Sequence, residues 1–386
     1  MSKKVFIALS GGVDSAVSAY LLKRQGFDVH GVYMKNWTGT HLNLAGECNW
    51  TYERDDASAV AKKLKIPFAV WDFEREYRKL VIDYFFNEYK KGRTPNPDVR
   101  CNQYVKIPMF LKRALKEGAD YIATGHYARI RQSPIANRQS DKKQELGTRN
   151  QWRYELLNGI DGEKDQSYFL YTLTQQQLKH LIFPVGELTK KEVRKIAEKI
   201  KLPVAKKPDS QGICFVGEVK VEDFLKTRIK EKPGVIVDLK GNILGQHIGL
   251  AFYTIGQRHG LGLGSGPWYV IGRKWKQNVL IVGKLKEQKH LLANSLLASQ
   301  GRWVSGHTPK FPFKALARHR YRHPVYPVRV ARRGICIQVK FETKQRAITP
   351  GQSVVFYRPG GRGSFDGLEV IGGAVIDKVE KEEFLW

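Results

Sequence analysis

Cysteine is scarce in this chain: Cys48, Cys101, Cys214 and Cys336 are the four in a length of 386 residues. They are too few and too scattered for a disulfide scaffold, and no Cys-x-x-Cys pair marks zinc. A reducing cytoplasm fits this usage. Acid is also in short supply, with 37 Asp and Glu against 66 Lys and Arg, giving a formal net charge of +29 spread along the whole chain. Such a field repels itself and favours a large polyanion, so RNA or DNA is the expected partner. Long apolar runs are missing. VFIAL, after the basic MSKK, is too short for a signal peptide, and nothing approaches the ~20 apolar residues of a membrane span. Two common nucleotide signatures are missing as well. G-x-x-x-x-G-K-[ST] does not occur, and GLGLGSG at 260–266 satisfies G-x-G-x-x-G in no register.

What is present suits a globular chain of two or three domains, with 42% hydrophobic residues to build a core. Val5 to Leu9 reads as a strand covered on both faces, and Val13, Ala16, Val17, Tyr20 and Leu21 recur at helical spacing after a glycine turn. The alternation continues with a strand at 29–34, a helix at 55–65, a strand at 67–73, amphipathic helices around 74–90 and 104–117, and a strand within ADYIATGHY. This order predicts a doubly wound parallel α/β sheet, whose ligands sit beyond the carboxyl ends of the strands. Residues 131–151 are polar and aperiodic and predict a mobile surface insertion, whereas 185–200 predict a helix capped by Thr189. From about 233 the texture changes to short β-like runs punctuated by glycine, an all-β tail of small barrels or sandwiches.

The first strand runs into SGGVDS. Gly11 and Gly12 let the backbone approach an anion, the following helix start attracts negative charge, and Ser10 and Ser15 add hydroxyl donors. Asp14 is the odd member. It either orients the loop or helps hold Mg²⁺, or else merely favours the positive end of the helix. The motif resembles the pyrophosphatase loop (PP-loop) of enzymes that cleave ATP between the α and β phosphates and adenylate a substrate.

Two cysteine-bearing stretches, GRTPNPDVRCNQYVK at 92–106 and KPDSQGICF at 207–215, narrow this further. With the first loop, GVYMKNW (31–37), ATGHYARI (123–130), KDQSYFLY (164–171), FPVGELTKKEVRKIA (183–197) and GQRHGLGLG (256–264), they closely resemble the tRNA-specific 2-thiouridylase family, from residue 5 through PGQSVVFY at 350–357. Read from the residues alone, Cys101 follows Arg100 and a Pro-rich turn, which suits an accessible thiolate of lowered pKa. Cys214 lies among small and polar residues. A buried, inert thiol is the alternative for each, and the preferred one for Cys48 and Cys336.

The resemblance implies a PP-loop domain at 1–218, a small central β-rich domain at 219–283 and a C-terminal, tRNA-binding β-barrel at 284–386. It implies ATP on Ala8, Leu9, Ser10, Gly11, Gly12, Val13, Asp14 and Ser15, with Met34 against adenine and Gly125 in close backbone approach, and Mg²⁺ with the nucleotide. Cys214 would carry a persulfide, Cys101 would complete the transfer, and the two would end each turnover as a transient disulfide. Asp98 would be the general acid/base, although an Asx-type turn after Pro97 is its bland alternative. Asn96, Pro97 and Asp98 would touch the target base, while His126, Lys164, Asp165, Gln166, Arg320, Tyr321 and Gln352 would contact tRNA. The substrate would be the wobble uridine of lysine, glutamate and glutamine tRNAs. Its sulfur would come from a persulfide donor or relay protein fed by a cysteine desulfurase, and the enzyme would be a cytoplasmic monomer. Rivals are another PP-loop adenylating enzyme, of amide or lysidine synthetase type, and a non-catalytic basic RNA-binding protein.

Overall fold

The computed structural model describes residues 2–38, 50–134, 152–209, 220–360 and 367–380. Cys48, Cys214 and residues 135–151 lie outside these described residues. The chain opens with strands β1 (Lys4–Ala8), β2 (Asp28–Lys35), β3 (Phe68–Asp72) and β4 (Tyr121–Ala123). A hairpin, β5 (Ala128–Pro134) and β6 (Trp152–Asn158), and the short β7 (Leu181–Ile182) follow. Strands β3-β2-β1-β4-β7 form one sheet in that order, and every pairing in it is parallel. Val5, Phe6 and Ile7 of β1 are all buried because helices cover both faces, which is why the strand reads as a continuous apolar run. Helix α1 (Val13–Arg24) buries Val13, Ala16, Val17, Ala19 and Leu22 on one side. The other face packs Phe6, Val32, Met34 and Trp71 against Phe85 and Phe110.

Those last two side chains belong to two helical runs that differ from expectation. Residues 74–90 are helical throughout, but with a π-helical turn at Arg78–Ile82 between Glu74–Tyr77 and Asp83–Lys90. The second run starts earlier than the predicted 104, as Pro97–Cys101, a π-helical turn Asn102–Lys106, and Pro108–Lys116. Asn96 explains the early start: its Oδ1 accepts the Val99 N–H at 3.0 Å, and Pro97 supplies a preset φ at the first helical position. The helix Lys190–Lys199 has the predicted Thr189 cap, in a capping box with Glu192.

The predicted insertion at 131–151 needs correction at its first residues. Arg131 to Pro134 complete β5, paired with β6 from Ala128↔Asn158 to Pro134↔Trp152. Strand β6 then pairs with Leu368–Glu380 through Leu157↔Glu369 and Leu156↔Val370, so the hairpin extends the sheet of the C-terminal barrel. That barrel has six strands: Leu292–Trp303, Phe313–Arg318, Tyr326–Arg333, Cys336–Arg346, Ser353–Pro359 and Leu368–Glu380. Pairing of the first with the last closes it around Leu296, Val330, Val339, Phe341, Val354 and Phe356. A four-stranded sheet of Gly234–Val237, Ile243–His247, Tyr269–Lys274 and Val279–Gly283 lies between in sequence. No helix among the described residues is long and apolar enough to cross a membrane.

Candidate active site

The first loop leaves the carboxyl end of β1 and enters α1 as a glycine cradle. Gly11 adopts φ +73°, and a Cβ there would lie 2.4 Å from the Glu53 carbonyl oxygen, so neither the conformation nor the space admits a side chain. The Ser15 hydroxyl donates to the Gly12 carbonyl at 3.1 Å and accepts the Ser10 N–H at 3.1 Å, which folds the loop back over the helix start. The Ser10 and Ser15 hydroxyls meet at 3.2 Å. Gly125, just past the end of β4, closes the other side: a Cβ there would stand 2.7 Å from the Ser15 nitrogen. Met34, near the end of β2, is buried in the core. Small residues, the start of a twelve-residue helix that no side chain caps, and paired hydroxyls make a cradle that fits nucleotide phosphates.

Asp14 does more than sit at the positive end of α1. It accepts the Tyr127 hydroxyl at 2.8 Å and both its oxygens accept the Lys190 ammonium, at 2.7 and 2.9 Å. Lys190 also pairs with Asp209 at 2.8 Å, and Asp209 takes Lys164 at 2.7 Å and Arg194 at 2.6 Å. Partial burial pushes the Asp209 carboxyl up, but Lys164 and Lys190 more than reverse this and hold it well below its ordinary value. Burial, and then Asp14, push the Tyr127 phenol well above its ordinary value, so it remains a donor. Sequence reasoning found Asp14 and Lys164 but missed Tyr127, Lys190 and Asp209. Their signal was available only in part, since Lys190 lies in FPVGELTKKEVRKIA and Asp209 in KPDSQGICF. As to Mg²⁺, the described residues contain no cluster of three His, Cys, Asp or Glu side chains. Asp14 is the carboxylate at the cradle, so an ion there would be held chiefly by the nucleotide's own phosphates, as Mg²⁺ commonly is.

The second group of residues follows a turn held from the 83–90 helix, the central region and the barrel. The Arg273 guanidinium donates to the Gly92 carbonyl at 2.7 Å, and the Thr94 and Thr254 hydroxyls meet at 3.1 Å. From the barrel, Gln352 Nε2 donates to the Thr94 and Pro95 carbonyls at 2.9 and 3.3 Å, while the Thr94 N–H donates to the Pro350 carbonyl at 2.8 Å. Arg93 bridges Glu88 at 2.7 Å and Asp377 at 3.0 Å. The turn delivers Asn96 as helix cap, Pro97 at the first helical position and half-buried Asp98 at the next. Asp98 therefore lies in the first turn of a helix, where its charge is favoured, while the cap is Asn96.

Cys101 is 1% exposed and packed in the core, which corrects the expectation of an accessible thiol. Nor does the neighbouring cation point to it along the chain. Arg100 is sandwiched between the Tyr84 and Tyr104 rings, at 4.2 and 4.1 Å from their centroids, and donates to the Leu80 carbonyl at 3.0 Å. Cys336 is half-buried at the start of its strand.

Several residues expected at tRNA are occupied within the fold. The His126 ring is 6% exposed and bonded to the Thr124 hydroxyl at 2.7 Å, and burial, then Lys106, push its pKa well below the ordinary value. Asp165 is buried, accepts the Ser167 N–H at 3.0 Å and pairs with Arg318 at 3.3 Å. Gln166 Oε1 accepts the Tyr127 N–H at 3.1 Å. Tyr321 packs on Phe169 at 4.4 Å between centroids, and Arg320 is exposed. Residues 164–170 thus connect the two groups. Lys164 reaches the Asp14 network, and the Phe169 carbonyl accepts Asn102 Nδ2 at 3.4 Å, next to Cys101.

Comparison with known proteins agrees along the length of the chain. Residues 3–218 match the family model described as tRNA methyl transferase HUP domain, 222–284 the tRNA methyl transferase PRC-barrel domain, and 293–376 the Aminomethyltransferase beta-barrel domain. The tRNA-specific 2-thiouridylase MnmA of Lysinibacillus sphaericus (strain C3-41) is 45% identical over 383 residues, 98% of this chain and 95% of that protein. The protein of the same name from Streptococcus pyogenes serotype M1 is 45% identical over 384 residues, 98% of this chain and 96% of that protein. The one from Geobacillus thermodenitrificans (strain NG80-2) is 43% identical over 391 residues, covering 99% and 97%. The domain descriptions speak of methyl transfer, whereas the curated relatives, matched almost end to end, carry the name of a sulfur-transfer activity. With the PP-loop cradle, the parallel sheet and the closed barrel on these matched segments, the chain belongs to the tRNA-specific 2-thiouridylase family.

Proposed function

We propose that this protein is an ATP-dependent tRNA-uridine 2-sulfurtransferase acting on the wobble uridine of tRNA in the cytoplasm. Its units on this reading are a catalytic domain at 1–218, a central domain at 219–283 and an RNA-binding barrel at 284–386. The observation that carries the reading is the pairing, in one member of this family, of a phosphate cradle at 8–15 with a rigidly held Asn96–Cys101 helix start.

ATP would lie with its phosphates on Ala8 to Ser15, its adenine near Met34 and its backbone contacts near Gly125. Bound Mg²⁺ would neutralise phosphate charge beside Asp14. The uridine, turned out of the anticodon stack, would meet Asn96, Pro97 and Asp98. Its C2 oxygen attacks the α-phosphorus, the bond to the bridging oxygen breaks, and pyrophosphate leaves from the adenylated base. Lys190, already at the loop, is suited to balance charge on the departing pyrophosphate. Asp98 manages the base proton as C2 changes character.

Sulfur then replaces the oxygen, which departs with AMP. In one route the terminal sulfur of a Cys214 persulfide attacks C2, and Cys101, uncovered from its buried position by substrate binding, breaks the remaining S–S bond. In the other, Cys101 first displaces hydrosulfide, which attacks C2. Both leave a Cys101–Cys214 disulfide that an external thiol must reduce. The sulfur comes from a persulfide donor or relay fed by a cysteine desulfurase, and the working unit is a monomer. His126, Lys164, Asp165, Gln166, Arg320, Tyr321 and Gln352 complete the tRNA site, some by direct contact and some by fixing the surfaces that make contact.

Pyrophosphate release from ATP tests the first half-reaction. The parent should release pyrophosphate only with tRNA present, and Cys101→Ser should retain that release while forming no thiouridine. Full thiolation by Cys101→Ser would overturn the role given to Cys101, and release independent of tRNA would overturn the substrate.

A further inference from the structure

Barrel strands Phe313–Arg318, Tyr326–Arg333 and Cys336–Arg346 are neighbours in the sheet, and their register sets three cations side by side. Lys314 pairs directly with Arg329, and Arg329 directly with Lys340. Alternate residues of these strands, Val328, Val330, Val339 and Phe341, are buried inside the barrel, while Lys314, Arg329 and Lys340 are exposed on its outer face. Like charges directly opposite one another on one face destabilise a sheet. Nevertheless, none of the three takes part in an ion pair among the described residues, although Glu342 lies two positions on from Lys340. Three other cations of the barrel are paired: Arg358 with Glu369 at 2.7 Å, Arg318 with Asp165 at 3.3 Å, and Arg333 with Glu380, whose carboxylate also accepts Gln338 Nε2 at 2.8 Å.

The row borders a surface recess of about 380 Å³ lined by Arg329, Lys340, Arg332 and Gln338, with Phe311 and Pro312 forming an apolar wall. A cationic row left unbalanced beside an open recess in a chain of net charge +29 suits a polyanion that supplies the missing negative charge. We infer that this face is a second RNA contact, at which Lys314, Arg329 and Lys340 neutralise consecutive backbone phosphates of the tRNA whose uridine is modified. The inference rests on the thiouridylase reading and extends it to a surface that handles no base. Phosphate contacts of this kind fix the position of an RNA without reading its sequence.

The test is tRNA affinity between about 50 and 200 mM salt for the parent and two variants. One carries Lys314→Gln, Arg329→Gln and Lys340→Gln. The other carries Lys62→Gln, Lys63→Gln and Lys116→Gln, the same charge change at exposed helix positions. Three lost phosphate contacts flatten the slope of log K against log salt by about 2 to 3. The barrel variant should show that flattening, with Kd and KM for tRNA at least tenfold higher, and a Tm no lower than the parent because a repulsion has been removed. The helix variant should stay near the parent. Equal weakening by both variants, or an unchanged slope in a folded barrel variant whose parent binds tRNA, would overturn the inference. A parent that binds no tRNA would instead overturn the functional reading beneath it.

Discussion

The partners of Asp14 turn a loop carboxylate into part of a charged network. Lys190 is largely buried between Asp14 and Asp209, so Lys190→Met leaves two carboxylates without their shared cation. Loss of about 1–2 kcal/mol of stability follows from stranding charged hydrogen-bond partners, and denaturant unfolding measures it. Pyrophosphate release should fall with it, and Lys190→Arg should recover part. Asp209 makes an acid-limb prediction. Its pKa in the fold is held down by Lys164 and Lys190, so the unfolded chain takes up its proton first as pH falls. The stabilisation is complete above roughly pH 5 and is lost progressively below roughly pH 4. Asp209→Asn should flatten stability against pH in that window, and an acid limb identical to the parent would remove Asp209 from the network. SGGVDS was legible in the sequence because its conformational demands are local. Lys190 and Tyr127 were not, since the bonds from Asp14 to them span 176 and 113 positions and leave no periodic trace.

At the scale of elements, the turn at 92–96 shows how a short stretch is made rigid from outside. Gln352, expected at the RNA, spends its amide on the Thr94 and Pro95 carbonyls and so fixes the entry to the helix that carries Asp98 and Cys101. Gln352→Ala should lower the rate of thiolation at saturating tRNA more than it weakens tRNA binding, with a stability loss of about 1 kcal/mol, the ordinary worth of such a bond. A variant that loses only affinity would return Gln352 to direct RNA contact. The helix start at Pro97 was within reach of the sequence, because Asn-Pro-Asp is a cap, a preset first residue and an acidic first turn. Reading GRTPNPD as a turn overlooked that cap. Burial of Cys101 was harder to foresee, as it depends on the aromatic packing around the π-helical turns at 78–82 and 102–106. Alkylation checks it: Cys101 in the folded enzyme should react far more slowly than in the unfolded chain, and equal rates would mean the thiol is open.

For the whole molecule, the alternation of strands and helices gave the parallel sheet, and the glycine-punctuated tail gave the β-rich remainder. Barrel closure was not legible, because Leu292–Trp303 meets Leu368–Glu380 across most of the tail. The same holds for β6, which leaves the N-terminal region to pair with Val370. These pairings, together with the clamp at 92–96, join the N-terminal region, the central strands and the barrel around the Asn96–Cys101 helix start, which on the proposed function takes part in thiolating tRNA. The most direct test is sulfur incorporation into unmodified lysine tRNA with Mg²⁺-ATP and a persulfide donor, read as retardation on a mercury-containing gel, with Cys214→Ala alongside the parent. Retardation is expected with the parent and none with the variant. Equal retardation with both would contradict the role of Cys214. No retardation with a parent that binds tRNA, given a working donor, would contradict the proposed function itself.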